Sequence, residues 1–370
     1  MTNLRELGLL FLRLGATTFG GPAAHIAVME DEVVRRRGWL TRQQFLDLLG
    51  AAHLVPGPNS TEMAIHVGYL RAGFPGLLVA GAAFILPAAL MALGLAWAYL
   101  RFRSVPAASA VLYGVKPVVV AVVVQALWSL GRTAISTKRL LLLAIAALAA
   151  NALGVNELLV LVGTGALAVM SSRETKATTF ALALPLLLAP AGVAAPTAAA
   201  LFLFFLKAGS VLYGSGYVLL AFLRSDLVVR YRWLTEAELL DAIAITQLTP
   251  GPVFTVATFI GYLLDGLEGA LVATLGIFLP AFFFVAVSGP LVARIRASPA
   301  LSAFLDGVIA ASLSLMAVVA FELGRGSLVD PLTFLIAIAS AVALVRYRVN
   351  STWLILGGAI ISLLAWIATR

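Results

Sequence analysis

The chain has 370 residues, 62% of them hydrophobic and 11% charged, with a mean hydropathy of +1.04 and a formal charge of +8. A soluble domain carries about 25% charged residues, so the composition excludes one and points to an all-α polytopic membrane protein; the alternating strands of a β-barrel are absent. Without cysteine there are no disulfides, thiolate metal sites or thiol catalysis, and basic residues spread over short loops fit an inner-membrane protein rather than a nucleic-acid binder.

Residues 4–19 read as an apolar helix carrying Arg13, and no cleaved signal peptide is expected because Arg5, Glu6 and Arg13 interrupt it. Gly20-Gly21-Pro22 stops that helix and starts another, which carries His25 and Glu30. Arg35-Arg36-Arg37 reads as a solvated loop facing lipid headgroups, and Trp39 as an interface anchor. Thr41 and Gln44 fit a capping box, opening a helix that carries Asp47 and His53. Pro56-Gly57-Pro58 breaks it: Val55 before a proline is pushed out of the helical region, and Pro58 suits a new helix start. That new N-terminus has free N–H groups, partial positive charge and the polar Asn59, Ser60 and Thr61, which together make an anion site. Glu62 and His66 share a helix face; with His53 they lack a sharp ligand pattern and read as a hydrogen-bonded pair, so no metal and no cofactor is expected. Apolar runs at 76–100, which carries no charge, and at 140–155, 157–170, 178–206, 269–288, 307–321, 331–345 and 351–368 are candidate spans. Lys116 lies far from both ends of an apolar run, 107–127, which favours a polar cavity over snorkelling.

Residues 11–58 match 205–252 at a constant offset, with Arg13 on Lys207, Asp47 on Asp241, His53 on Gln247 and Pro56-Gly57-Pro58 on Pro250-Gly251-Pro252. One residue is then lost, after which Gly68, Gly73, Gly76 and Pro87 fall on Gly261, Gly266, Gly269 and Pro280. Thr235 and Glu238 repeat the capping box, and Thr255 is the main polar side chain after the second break. The chain therefore reads as two homologous helical halves, 1–172 and 173–370, divided at a polar linker, 171–176. Broken helices at matching places point to a secondary transporter's binding site. The charge contrast between Arg71 and Asp265 with Glu268 favours inverted repeats.

Phe19-Gly20-Gly21-Pro22 with His25 and Glu30, Trp39, and Pro56-Gly57-Pro58 resemble the chromate ion transporter family. So do Tyr213-Gly214-Ser215-Gly216, Gln247-Leu248-Thr249-Pro250-Gly251-Pro252, Gly261-Tyr262 and Leu279-Pro280, with Ser215 where the family often has glycine. The likeness covers both halves and implies a two-domain exporter of chromate, with sulfate as a look-alike ion, in the bacterial cytoplasmic membrane. The expected substrate-binding set is the residues of both breaks just named, from Gly20 to Pro22, Pro56 to Thr61, Tyr213 to Gly216 and Pro250 to Pro252, with His25, His53, Lys116, Gln247 and Thr255. His25, Glu30 and Glu62 are the candidates for proton coupling. No phosphate loop with Lys-Ser/Thr is present, so the chain carries no ATPase of its own. The alternatives are a proton- or sodium-coupled carrier of another inorganic anion such as sulfate, and a membrane enzyme acting on lipid phosphates through His25, His53, His66 and Glu62. The lipid bilayer, a small oxyanion and a second copy in a homodimer are the expected partners.

Overall fold

The computed structural model describes residues 3–52, 55–171, 195–213, 216–288 and 298–368, and every regular element among them is helical. The first half runs α1 (Leu4–Thr17), α2 (Gly21–Glu30), a π-helical turn (Asp31–Arg36), α3 (Arg42–Ala52), α4 (Asn59–Phe102), α5 (Pro106–Ala134), α6 (Lys138–Ala152) and α7 (Glu157–Met170). The second runs α8 (Ala198–Val211), a 3₁₀ turn (Gly216–Val218), α9 (Leu219–Phe222), a π-helical turn (Leu223–Arg230), α10 (Glu236–Thr246) and a 3₁₀ turn (Val253–Thr255). It ends with α11 (Val256–Ser288), α12 (Pro299–Ser327), α13 (Pro331–Arg346) and α14 (Ser351–Ala368). The element order recurs: α8 has the length and register of α1, α10 those of α3, and α12 those of α5. Long, apolar helices able to cross a membrane include α4, α5, α12 and α14 and the segment Val253–Val287. The polar linker and most of the run at 178–206 lie outside the described residues.

Each half is shaped by a fold-back that its alternation of apolar residues does not announce. Ala72 and Gly73 leave helical geometry inside α4, with Gly73 at φ +62°, and Asp265 and Gly266 do so in α11, with Gly266 at φ +56°. Only glycine takes such a backbone without strain. A Cβ on Gly68 would lie 2.3 Å from the Gly76 carbonyl oxygen, and one on Gly261 2.2 Å from that of Gly269. Residues eight apart in a straight helix are about 12 Å apart, so both helices double back at these turns. After its turn α4 continues through Phe102 and packs along α1, with Gly15 pressed against the Phe84 carbonyl; Gly209 of α8 meets the Ile277 carbonyl of α11 in the same way.

The two capping boxes form as expected: Thr41 and Gln44 exchange bonds of 2.9 and 3.2 Å, and Thr235 and Glu238 exchange bonds of 3.0 and 3.2 Å. Arg35-Arg36-Arg37 is not a loop. Arg35 and Arg36 close the π-helical turn, and Arg36 and Arg37 pair with Asp31, Glu32 and Glu6, because acidic residues one turn earlier supply partners. Arg13 binds Glu32, and its counterpart Lys207 binds Asp226, so each half ties its first helix to its π-helical turn.

The core sits where the halves interlock. Helix α7 packs on α12, where Gly165 and Gly307 meet, and α14 packs on α5, where Gly114 and Gly358 meet. Small residues let the backbones touch, which is the packing a bilayer favours. At one end of the long arm of α4, Arg71 donates to the Trp39 carbonyl at 3.0 Å, beside the start of α3. At the other end, Arg103 meets Glu238 at 3.3 Å, in the first turn of α10.

Candidate functional site

The two Pro-Gly-Pro breaks meet. Gly57 stands at φ +144° and Gly251 at φ +85°. The Gly57 N–H donates to the Leu212 carbonyl at 2.8 Å, and the Gly251 N–H donates to the Thr18 carbonyl at 3.1 Å. Each central glycine is thus held by the residue that ends the other half's first helix. A Cβ on Gly251 would sit 2.7 Å from that of Ala88 and 3.0 Å from the Gly15 carbonyl oxygen, so that position requires glycine for space as well as for backbone, whereas one on Gly57 would sit 2.5 Å from the Glu62 Oε1, which would have to move aside.

The first-half break leads into the polar start of α4. The Pro58 carbonyl accepts from Thr61 and Glu62 N–H at 2.7 and 3.0 Å. The N–H groups of Asn59 and Ser60 come before any intrahelical acceptor, and the helix dipole adds positive charge beside them. His25 of α2 crosses to this point: its Nε2 lies 3.0 Å from the Thr18 carbonyl and its Nδ1 3.2 Å from the Ser60 Oγ. A carbonyl can only accept, so in the neutral ring Nε2 carries the proton and Nδ1 accepts from the Ser60 hydroxyl. The ring stands edge-on to Phe84 with centroids 5.5 Å apart. His25, Ser60, Thr61, Glu62 and His66 are all buried, so the cluster is sealed from solvent. Both oxygens of Glu62, the Thr61 Oγ1 and the His66 Nε2 have no hydrogen-bond partner among the described residues, so the expected hydrogen bond between Glu62 and His66 is not made. Tyr213, half-buried, lies within electrostatic reach of Glu62.

The second-half break makes the matching glycine bond, enters a 3₁₀ turn rather than an α-helix, and has little chemistry. Val253 and Phe254 follow Pro252, and the Thr255 hydroxyl donates back to the Pro252 carbonyl at 2.9 Å. Thr258 and Thr274 satisfy each other at 2.7 Å. Gly216 is buried where its 3₁₀ turn begins, and Gln247 caps the end of α10 half-exposed.

The remaining expected site residues are spread around this centre. Gly20 is exposed at φ +108°, Gly21 stands at φ +77°, and Pro22 occupies the first turn of α2. Glu30 is paired with Arg42 near the surface at 3.7 Å. Lys116 is bound to Asp241 of α10 at 2.7 Å, and Tyr99 donates to the same carboxylate at 2.8 Å. His53, Gly214 and Ser215 lie outside the described residues. Two open crevices lie elsewhere, one of about 460 Å³ beside Trp128 and Arg132 and one of about 650 Å³ beside Asn151 and Arg224. Sequence reasoning missed Thr18 and Leu212 as the acceptors for the two glycines, although they fall on each other at the repeat offset. It also missed the Lys116–Asp241 pair, which joins positions with no shared pattern.

A family model described as Chromate transporter matches residues 5–170 and 199–363. The chain is 33% identical over 376 residues to the chromate transport protein of Cupriavidus metallidurans, covering 98% of this chain and 94% of that one. It is 32% identical over 355 residues to the probable chromate transport protein of Synechococcus elongatus, covering 92% and 90%. No solved structure matches the chain.

Proposed function

This chain belongs to the chromate transporter family, and from that premise we propose that it works as a secondary exporter of the chromate dianion through the interlocked breaks. A membrane transporter of chromate, multi-pass in the cytoplasmic membrane, is what the family and the apolar helices give. Direction and driving force are our reading. The observation that carries it is the reciprocal pair of bonds, Gly57 to Leu212 and Gly251 to Thr18, which brings interrupted helices of both halves to one buried place.

A tetrahedral dianion needs several N–H donors and little fixed positive charge, so that it can leave again. Helix ends supply this. Moving one charge through 100 mV is worth about 2.3 kcal/mol, so a dianion gains roughly twice that on leaving an inside-negative cell. No pump is then required. The site residues are those of the first break, Asn59, Ser60 and Thr61 with His25, facing the backbone of the second. Lys116 is already neutralised by Asp241 and serves the frame around them.

The halves, 1–172 and 173–370, are read as inverted repeats. In support, α3 begins beside one end of the long arm of α4 and α10 beside the other. In a pair of parallel repeats both would begin on one side. The depth of the cluster favours transport over chemistry on lipid headgroups: α1 has 14 residues before the break, about 21 Å of helix. The test is chromate flux in liposomes containing the purified protein, with a potential imposed by a potassium gradient. Flux should follow the sign of the potential; folded protein that moves no chromate at either sign would refute the reading.

A further inference from the structure

Glu62 and His66 are one turn apart on α4, both buried, and the carboxylate oxygens and the His66 Nε2 have no hydrogen-bond partner among the described residues. Glu62 touches the break itself, since its Oε1 occupies the space a side chain on Gly57 would fill. Among the described residues, the groups that face the pair are few. His25 reaches it through Ser60 from α2, and Tyr213 approaches from the segment after α8. The α11 face packed beside Ile65 presents Ala281, Phe282 and Val285, which do not titrate. The 3₁₀ turn offers Val253, Phe254 and Thr255, and α3 contributes Asp47 on an exposed turn.

Resting on the transport reading above, we propose that the Glu62–His66 pair is a proton-binding site filled together with the oxyanion, so that each dianion crosses with one proton. A buried pair with no ion-pair partner among the described residues is held neutral, because an isolated buried charge is costly. The empty pair therefore keeps one proton between them. An ionised Glu62 beside the α4 N-terminus would repel a dianion, whereas the acid form donates a hydrogen bond to it. Once the dianion is in place, a second proton on the pair offsets part of its charge. That proton comes from solvent on the loading side, settles on the His66 ring, and leaves on the far side with the anion. The pair then returns neutral, and the empty chain re-orients carrying no buried charge. The second half has Thr255 and Phe259 at the matching positions, so one site of this kind exists per chain and the ratio is one to one. The cargo moves with a net charge of minus one, so an inside-negative potential still drives export while an alkaline interior opposes it.

The experiment is proton uptake on chromate binding to the detergent-purified full chain, in weakly buffered solution with a pH indicator, at a pH above chromate's last ionisation. One proton taken up per chromate bound is expected. Binding without uptake overturns the proposal and leaves the transport reading standing; no binding at all removes both. His66→Gln should abolish uptake and weaken chromate binding roughly tenfold, while Glu62→Gln should still take up its proton. Uptake that survives His66→Gln overturns the assignment, and if that variant fails to fold the wild-type stoichiometry decides alone.

Discussion

The two breaks share a backbone bond and differ in side chains. Gly57 and Gly251 make matching bonds to the opposite half. Yet the first break opens into Asn59, Ser60, Thr61, Glu62 and His66, and the second into Val253, Phe254 and Thr255. Both halves keep the glycine bond that the frame needs, and the polar groups stand in one. On the proposed transport reading, the path is built by two halves while its chemistry is supplied by one, so the same substitution at matching positions should give matching results only where the backbone is concerned.

The largest effects should fall on the shared backbone. Gly57→Leu and Gly251→Leu should each cut chromate flux by about 100-fold or more in protein that still reaches the membrane, because a misplaced site costs on that order. Flux measured against membrane-inserted amount checks this. Unequal losses would break the symmetry claim. Next come the side chains, where the halves should part. Ser60→Ala deprives the His25 Nδ1 of its partner and should lower flux about tenfold, the worth of one hydrogen bond. Thr255→Val, which removes a hydroxyl that donates back to the Pro252 carbonyl, should change flux less than about twofold. Equal losses at the two would contradict a one-sided site.

A third effect concerns stability. Lys116→Met leaves Asp241 with Tyr99 alone and should cost about 2 kcal/mol, less than a fully buried pair because the lysine side chain is 21% exposed. Asp241→Asn in the same chain should recover part of that in a thermal melt. The smallest effect is at Asp330, ahead of α13 and outside the spans. The Tyr113 hydroxyl and the Thr333 N–H hold its carboxyl below the ordinary value of 3.8. A carboxyl lowered on folding contributes stability above that value and loses it as pH falls through the lower folded one. Asp330→Asn should therefore shift the melting temperature slightly at neutral pH and not at all in strong acid.

Much of this was legible in the residues. Proline and glycine rules placed both breaks, the capping boxes placed α3 and α10, and the constant offset gave two copies of one element order. Backbone chemistry of that kind is local, so the sequence carries it. The fold-backs at Ala72–Gly73 and Asp265–Gly266 were marked only by pairs of glycines eight apart, a signal whose meaning depends on the turn between them. The pairing of Lys116 with Asp241 joins different halves, and nothing in either segment names the other. The arginines at 35–37 are different: Asp31 and Glu32 stand only five and four residues ahead of Arg36, a spacing one helical turn brings together, and only Glu6 comes from another helix.

The central claim is that one anion lies between both breaks. The chain has no cysteine, so Asn59→Cys and Val253→Cys can be introduced singly and alkylated with a small thiol reagent in membranes. Chromate should slow the reaction at both positions with the same concentration dependence. Protection at one position alone, or at neither, would contradict a shared site.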